Sequence, residues 1–436
     1  MLALAAPIVA VQVGLQLMGF VDNLMVGRLG PAALGGVALG NLYFFNIAIF
    51  GMGFLMALDP VVAQAVGARD DAGIALGVQR GVVLAVAVTV VISLAMWPVP
   101  AALGMLDQPT DVVPIATAFV RWSIPGMLPF FLFIALRQSV QAMGTVRPVL
   151  EAIIVGNIVN LAANRVLIFG AFGLPALGVT GSALSTVLAR WVMLGVLALR
   201  AWPVLAPRLR PWHAAARAWG PLARMSAVGV PIGLQWFFEA GAFALVTVFT
   251  GWLGTVTLAG HEITLSLASL TFMVPVGVSS AAAALVGRAV GAGDLETARE
   301  DVVAAFVIGV GFMLLSALVM IGLPGWLGSR FTTDAATLAV AASLIPIAGA
   351  FQVFDGTQAV AAGVLRGAGD TRVPMVLHLA GFWAVGIPVA LWLAFPLGLG
   401  ARGLWWGLTA GLATAGVLQV WRIRARFRAG VARLRI

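Results

Sequence analysis

Twelve predominantly apolar stretches, each long enough to cross a hydrocarbon core that takes about 20 helical residues, recur along this chain. They fall at 3–27, 37–66, 73–97, 113–137, 149–169, 177–199, 222–250, 256–287, 302–323, 336–364, 374–395 and 402–421. Inside lipid every backbone N–H and C=O must be bonded within the protein, so spans of this length fold as helices. The composition agrees, with 61% hydrophobic and 9% charged residues against about 25% charged in a soluble domain. We read an all-α integral membrane protein with twelve transmembrane helices. A water-soluble enzyme is excluded. The 52 glycines fit helices that pack closely in lipid, and the absence of cysteine removes disulfides and thiolate metal sites.

All 25 basic residues are arginine, and the net charge is +9. Their placement says what the charge is for. Nineteen lie in the even-numbered connections, their flanks and the tail, among them Arg69, Arg147, Arg208, Arg210, Arg217, Arg288, Arg299, Arg366, Arg372 and the run from Arg422 to Arg435. The odd connections hold four: Arg28, Arg165, Arg330 and Arg402. Positive charge stays on the cytoplasmic side, so both termini are expected in the cytoplasm. The partners implied are lipid headgroups and not nucleic acid. Arg121 and Arg190 fall inside apolar spans and read as snorkelling side chains or internal salt bridges. The first stretch lacks the basic start and cleavage site of a secretory signal. Pro7 already lies inside the first span, an opening expected of a chain lacking some N-terminal residues.

The chain repeats at an offset of about 224 residues. Pro7 pairs with Pro231, Gly30 with Gly254, and 66–70 (Val-Gly-Ala-Arg-Asp) with 290–294 (Val-Gly-Ala-Gly-Asp). Gly144 and Arg147 match Gly369 and Arg372, and Gly178 and Gly181 match Gly400 and Gly403. Six helices per copy is an even number, so the copies share one orientation: two pseudo-symmetric six-helix bundles with a central cleft, the plan of alternating-access carriers. The expected organisation is an N-lobe over 1–199, a cytoplasmic linker over 200–221, a C-lobe over 222–421 and a basic tail over 422–436.

An ionisable group in mid-bilayer costs about 2.5–3.5 kcal/mol on insertion scales, so each is a functional candidate. Asp22 in helix 1, Asn160 and Asn164 one turn apart on helix 5, and Thr186 in helix 6 reach a similar depth. A carboxylate, two carboxamides and a hydroxyl can hold a proton or coordinate a small hard cation; the bland alternative is interhelical hydrogen bonding. Glu239 in helix 7 and Asp355 in helix 10 have depths compatible with a second shared site, serving H⁺ or Na⁺ through the same carboxylates. Gln235, Phe238, Phe272 and Phe354 are candidates to line a path for flat organic cations. Asp59 reads equally as a functional acid and as a helix cap, Glu151 as an end charge beside Arg147, and His261 as a satisfied interfacial histidine beside Glu262. No Walker loop or hydrolase motif appears, so no cofactor is expected and energy must come from an ion gradient.

These residues resemble the MATE (multidrug and toxic compound extrusion) transporters, most closely their NorM-like bacterial branch. The resemblance rests on 18–22 (Met-Gly-Phe-Val-Asp), 60–64 (Pro-Val-Val-Ala-Gln), Asn160 and Asn164 before Phe169-Gly170, 237–239 (Phe-Phe-Glu), 259–262 (Ala-Gly-His-Glu) and 358–367, and it covers essentially the whole chain. It implies an antiporter in a bacterial inner membrane that expels organic cations while H⁺ or Na⁺ moves inward; rocker-switch alternating access between the lobes and a monomer are our own expectations. The residues matching Asp22, Asn160, Asn164 and Thr186 would form one cation site, and those matching Glu239 and Asp355 the other. Where the family often has His-Gln, this chain has His261-Glu262. A lipid-linked oligosaccharide flippase of the same superfamily is the alternative; its cargo calls for a basic cavity, whereas the membrane charges here are mainly acidic.

Overall fold

The structure is a computed structural model that describes residues 1–105 and 112–434. Arg435, counted above with the tail, lies outside them. Among the described residues there is no strand, and eleven helices are long and apolar enough to cross a membrane: α1 (Leu2–Leu29), α2 (Pro31–Gly67), α3 (Asp71–Met96), α4 (Val113–Ala142), α5 (Arg147–Phe169), α6 (Gly178–Arg200), α7 (Trp219–Trp252), α8 (Thr255–Ala292), α9 (Leu295–Gly322), α10 (Ala335–Gly367) and α11 (Arg372–Ala394). The twelfth expected span is α12, Ala401–Arg428. It is less apolar than the others because glycine, threonine, tryptophan and Gln419 dilute its core and arginines fill its last turns.

The chain divides into two compact units. One comprises Ala10–Val66 and Asp70–Gly233; the other comprises Met1–Val9, Gly67–Arg69 and the chain from Leu234 onward. In the first, small residues let backbones meet. A Cβ on Gly233 would fall 2.6 Å from the Phe50 carbonyl oxygen, and one on Gly181 of α6 would fall 2.3 Å from that of Leu167 on α5. In the second, α8 and α10 meet where a Cβ on Gly363 would lie 2.3 Å from the Ser279 carbonyl oxygen. On α12, a Cβ on Gly407 would lie 2.3 Å from Ala390 of α11.

The repeat is visible in the backbone. Gly30 and Gly254 have φ of 111° and 114°, Gly144 and Gly369 of 85° and 75°, and Gly178 and Gly400 both of 55°. Asp70 and Asp294 each cap the helix that follows, accepting from the Gly73 and Thr297 amides at 2.8 and 3.0 Å.

The 200–221 segment folds into a helix at Trp202–Leu209 and a 3₁₀ turn at Ala214–Arg217. Gln79 of α3, wholly buried, anchors it. The Gln79 amide nitrogen donates to the carbonyls of Arg208 and Pro211 at 2.9 and 3.0 Å, and its oxygen accepts from the His213 amide at 2.9 Å.

Two arginines counted above as flanking charges are not at helix ends exposed to water. Arg80 and Arg137 are 6% and 8% exposed. Arg137 donates to Gln12 of α1 at 3.3 Å and feels the charge of Asp59, which is itself buried.

Candidate ion and substrate sites

In the first unit, the buried stripe of α5 runs Val149, Ala152, Ile153, Gly156, Asn160, Asn164, Ile168. That helical spacing puts both asparagines on the inward face. Gly156 lets α6 approach, since a Cβ there would collide with Met193. The closeness of α5 and α6 brings their polar groups to Asp22 of α1, which is 8% exposed. Asn164 Nδ2 donates to Asp22 Oδ1 at 2.5 Å and to Asn160 Oδ1 at 3.2 Å. The Thr186 hydroxyl donates to Asp22 Oδ2 at 2.9 Å. All four residues expected in this site come together.

Each Asp22 oxygen thus accepts a donor, the arrangement that makes a buried carboxylate tolerable. Asn164 Oδ1 and Ser182 Oγ, by contrast, are buried with no hydrogen-bond partner. The pocket therefore retains free donor and acceptor capacity for an incoming ion or proton.

Arg190 belongs here too. It lies one turn beyond Thr186 on α6, its charge acts on Asp22, and its guanidinium carbon sits 4.7 Å from the ring centroids of both Phe44 and Phe130. Of the two readings taken from sequence, the internal charge partner fits Arg190. Arg121, exposed, rests 5.8 Å from the Trp97 ring, as a snorkelling side chain does.

In the second unit, Asp355 of α10 is 6% exposed and the side chain of Glu239 on α7 is 19% exposed. The Glu239 charge acts on Asp355, which puts the two expected acids near one another. The sequence reading did not include His378 of α11, whose Nε2 lies 3.4 Å from Glu239 Oε2 and whose Nδ1 lies 3.0 Å from Gln358 Nε2. Directly after it, α11 winds as a π-helix over Ala380–Gly386, a feature frequent at functional sites. Close by on α10, Gln352 is wholly buried; its nitrogen donates to the Thr271 hydroxyl on α8 and its oxygen accepts from Ser316 of α9 at 2.7 Å. This tie fixes α10 one turn before Asp355.

Of the candidate lining residues, Gln235 is buried one turn before Glu239, while Phe238, Phe272 and Phe354 are half-buried. Phe238 meets Trp383 edge-on at 6.2 Å, and Trp383 Nε1 donates to the Phe238 carbonyl at 3.2 Å. His261 is satisfied on both ring nitrogens. Trp405 Nε1 donates to Nδ1 at 3.2 Å, which leaves the ring proton on Nε2, 3.1 Å from the Thr247 hydroxyl. Glu262 is exposed. Glu151 pairs with Arg147 and Arg200, both at 3.1 Å.

The MatE family model matches residues 7–166 and 231–392, one match in each repeat. The probable multidrug resistance protein NorM of Mesorhizobium japonicum is 37% identical, over 98% of this chain and 93% of that protein. The multidrug resistance protein NorM of Burkholderia vietnamiensis is also 37% identical, over 97% of this chain and 93% of that protein. Among solved structures, the eukaryotic MATE transporter AtDTX14 superposes with a TM-score of 0.89 at 23% identity, covering 98% of this chain and 96% of that one. An outward-facing multidrug resistance MATE family transporter gives 0.88 at 19% identity, covering 98% and 95%. With matches across both repeats and identity well above 30% over nearly the full length, this multi-pass membrane protein is a transporter and not an enzyme, and it belongs to the MATE family, on the NorM-like branch.

Proposed function

We propose that the chain is a secondary active multidrug efflux antiporter. It exports organic cations from the cytoplasm across a bacterial inner membrane in exchange for inward H⁺ or Na⁺, by rocker-switch alternating access between an N-lobe and a C-lobe. The arginine asymmetry supports placing both termini in the cytoplasm. The names of the NorM relatives, multidrug resistance proteins, support drugs as cargo.

The observation that carries the reading is the set of carboxylates buried in otherwise apolar helices, Asp22 in one unit and Glu239 with Asp355 in the other. A buried acid is costly unless something compensates it, and a cargo cation, a proton or Na⁺ can each do so in turn. Exchange then requires only that the two ligands weaken each other's binding. Arg137 and Arg190 give no support to an anionic, lipid-linked cargo, because they face the charges of Asp59 and Asp22.

The test is efflux of a fluorescent organic cation from vesicles under an imposed pH gradient and, separately, an imposed Na⁺ gradient. Glu239→Gln and Asp355→Asn should each abolish gradient-driven efflux at normal expression, and Asp22→Asn should abolish ion-dependent release in proteoliposomes. Wild-type efflux by Glu239→Gln and Asp355→Asn would reject the second cluster as a site, and unchanged release by Asp22→Asn would reject the first.

A further inference from the structure

Two histidines are deeply buried, and they differ in one respect. Both nitrogens of His261 are engaged. His378, 1% exposed, has one open. Its Nδ1 faces the amide nitrogen of Gln358 at 3.0 Å. An amide nitrogen only donates, so Nδ1 must offer its lone pair, and the proton of the neutral ring sits on Nε2. That nitrogen is shut from solvent without a formed hydrogen bond, although Glu239 Oε2 is 3.4 Å away. The separation is a few tenths of an ångström beyond a formed N–H···O bond. A buried donor without a partner is unfavourable, and the nearest remedy is a small movement of the Glu239 carboxylate.

We propose that His378 is a positioning residue for Glu239: its Nε2–H, oriented by Gln358, closes on the carboxylate when Glu239 is free of cargo and is displaced when an organic cation binds there. This rests on the transport reading given above. A carboxylate oxygen occupied by an N–H presents less negative charge to a cation. His378 therefore weakens the hold on cargo and speeds its release.

Glutamine in place of histidine puts an N–H donor near the Nε2 position, whereas asparagine reaches only the Nδ1 position. His378→Gln should therefore keep near-wild-type transport of ethidium, a planar organic cation, in vesicles. His378→Asn should lower both KM and the maximal rate by about threefold or more, as cargo binds tighter and leaves more slowly. If the residue only fills space or serves Gln358, Asn will match or exceed Gln, and the proposal fails. It fails equally if both variants show wild-type KM and rate. Independently of transport, the chain has only 3 histidines, so ring-¹⁵N spectra of histidine-labelled protein can be assigned with single variants. The Nε2–H tautomer is expected for His378, and the Nδ1–H tautomer would overturn the assignment. Absence of ethidium transport by the wild type would sink the transport reading, while the spectra would still decide the contact.

Discussion

Replacing Gln79 by leucine should loosen the segment that joins the two sequence repeats. Leucine fills a similar volume at this wholly buried position but cannot make the three hydrogen bonds to Arg208, Pro211 and His213. Neutral hydrogen bonds of this kind contribute about 0.5–1.5 kcal/mol each, which brackets the total between about 1.5 and 4.5 kcal/mol. Pro211 and His213 are exposed and Arg208 is half-buried, so most of the freed backbone groups find water and the lower part of the range applies. A loss of about 2 kcal/mol corresponds to about 30-fold more frequent local opening. The His213 amide reports it directly, because that N–H donates to Gln79: hydrogen exchange followed by mass spectrometry should show it exchanging about 30-fold faster, with the α3 core unchanged. The control is Asp71→Asn. It removes a 2.7 Å pair with Arg208, but Asp71 is 79% exposed, and such a pair is worth at most about 1 kcal/mol. Exchange in Gln79→Leu that stays within about threefold of wild type, or a larger effect from Asp71→Asn, would refute the argument that a buried amide anchors this segment.

Trp405→Phe removes the donor to His261 Nδ1 and leaves a buried acceptor open, which costs about 1–3 kcal/mol; the unfolding midpoint in detergent should fall, and an unchanged midpoint would show that the ring nitrogen finds another partner. Asp294 lies outside the spans and caps α9, where hydrogen bonds from Thr297 hold its carboxyl below the ordinary value of 3.8. A carboxyl lowered in the folded state stabilises fully above its unfolded value and stops doing so as pH falls through the folded one. Asp294→Ala should therefore be less stable than wild type at neutral pH, with the difference shrinking below about pH 4; a constant difference across acid pH would place the effect elsewhere than in the ionised cap.

The bilayer makes much of this fold legible, because it fixes the length of every span and the sign of the connecting charges. Asp22, Asn160, Asn164 and Thr186 were readable for a related reason: two are one turn apart, and depth along a helix follows from counting. What counting misses is contact between elements. His378 reaches Gln358 across 20 residues and has no periodic partner in its own helix. Arg80 and Arg137 looked like end charges because each stands near a span boundary, and only packing shows them buried. Arg190 carried a usable signal, its one-turn spacing from Thr186. The π-helical turn has none, since Ala380–Gly386 reads as ordinary apolar helix.

Comparing the repeats separates what the backbone needs from what the chemistry needs. The positive-φ glycines and the capping aspartates recur at matching places. The three buried acids of the candidate sites do not: at the same offset Asp22 falls on Val246 and Glu239 on Leu15, while Asp355 pairs with Phe130 through the offset set by Gly144 and Gly369. One position breaks the backbone pattern. After the second helix of each copy the chain turns through a left-handed residue, which is Gly293 with φ of 77° in one copy and Arg69 with φ of 54° in the other. That conformation crowds the Cβ of any L-residue and costs about 1–2 kcal/mol that glycine avoids. Glycine's freer unfolded chain cancels part of the gain, so Arg69→Gly should raise stability by about 0.5–1 kcal/mol. The exposed Arg69 side chain then fits the proposed topology, in which its charge would be one of those that orient the spans, and the variant should gain stability while weakening that bias. A fall in the detergent unfolding midpoint of Arg69→Gly would mean that the side chain contributes more than charge, and the strain argument would be wrong.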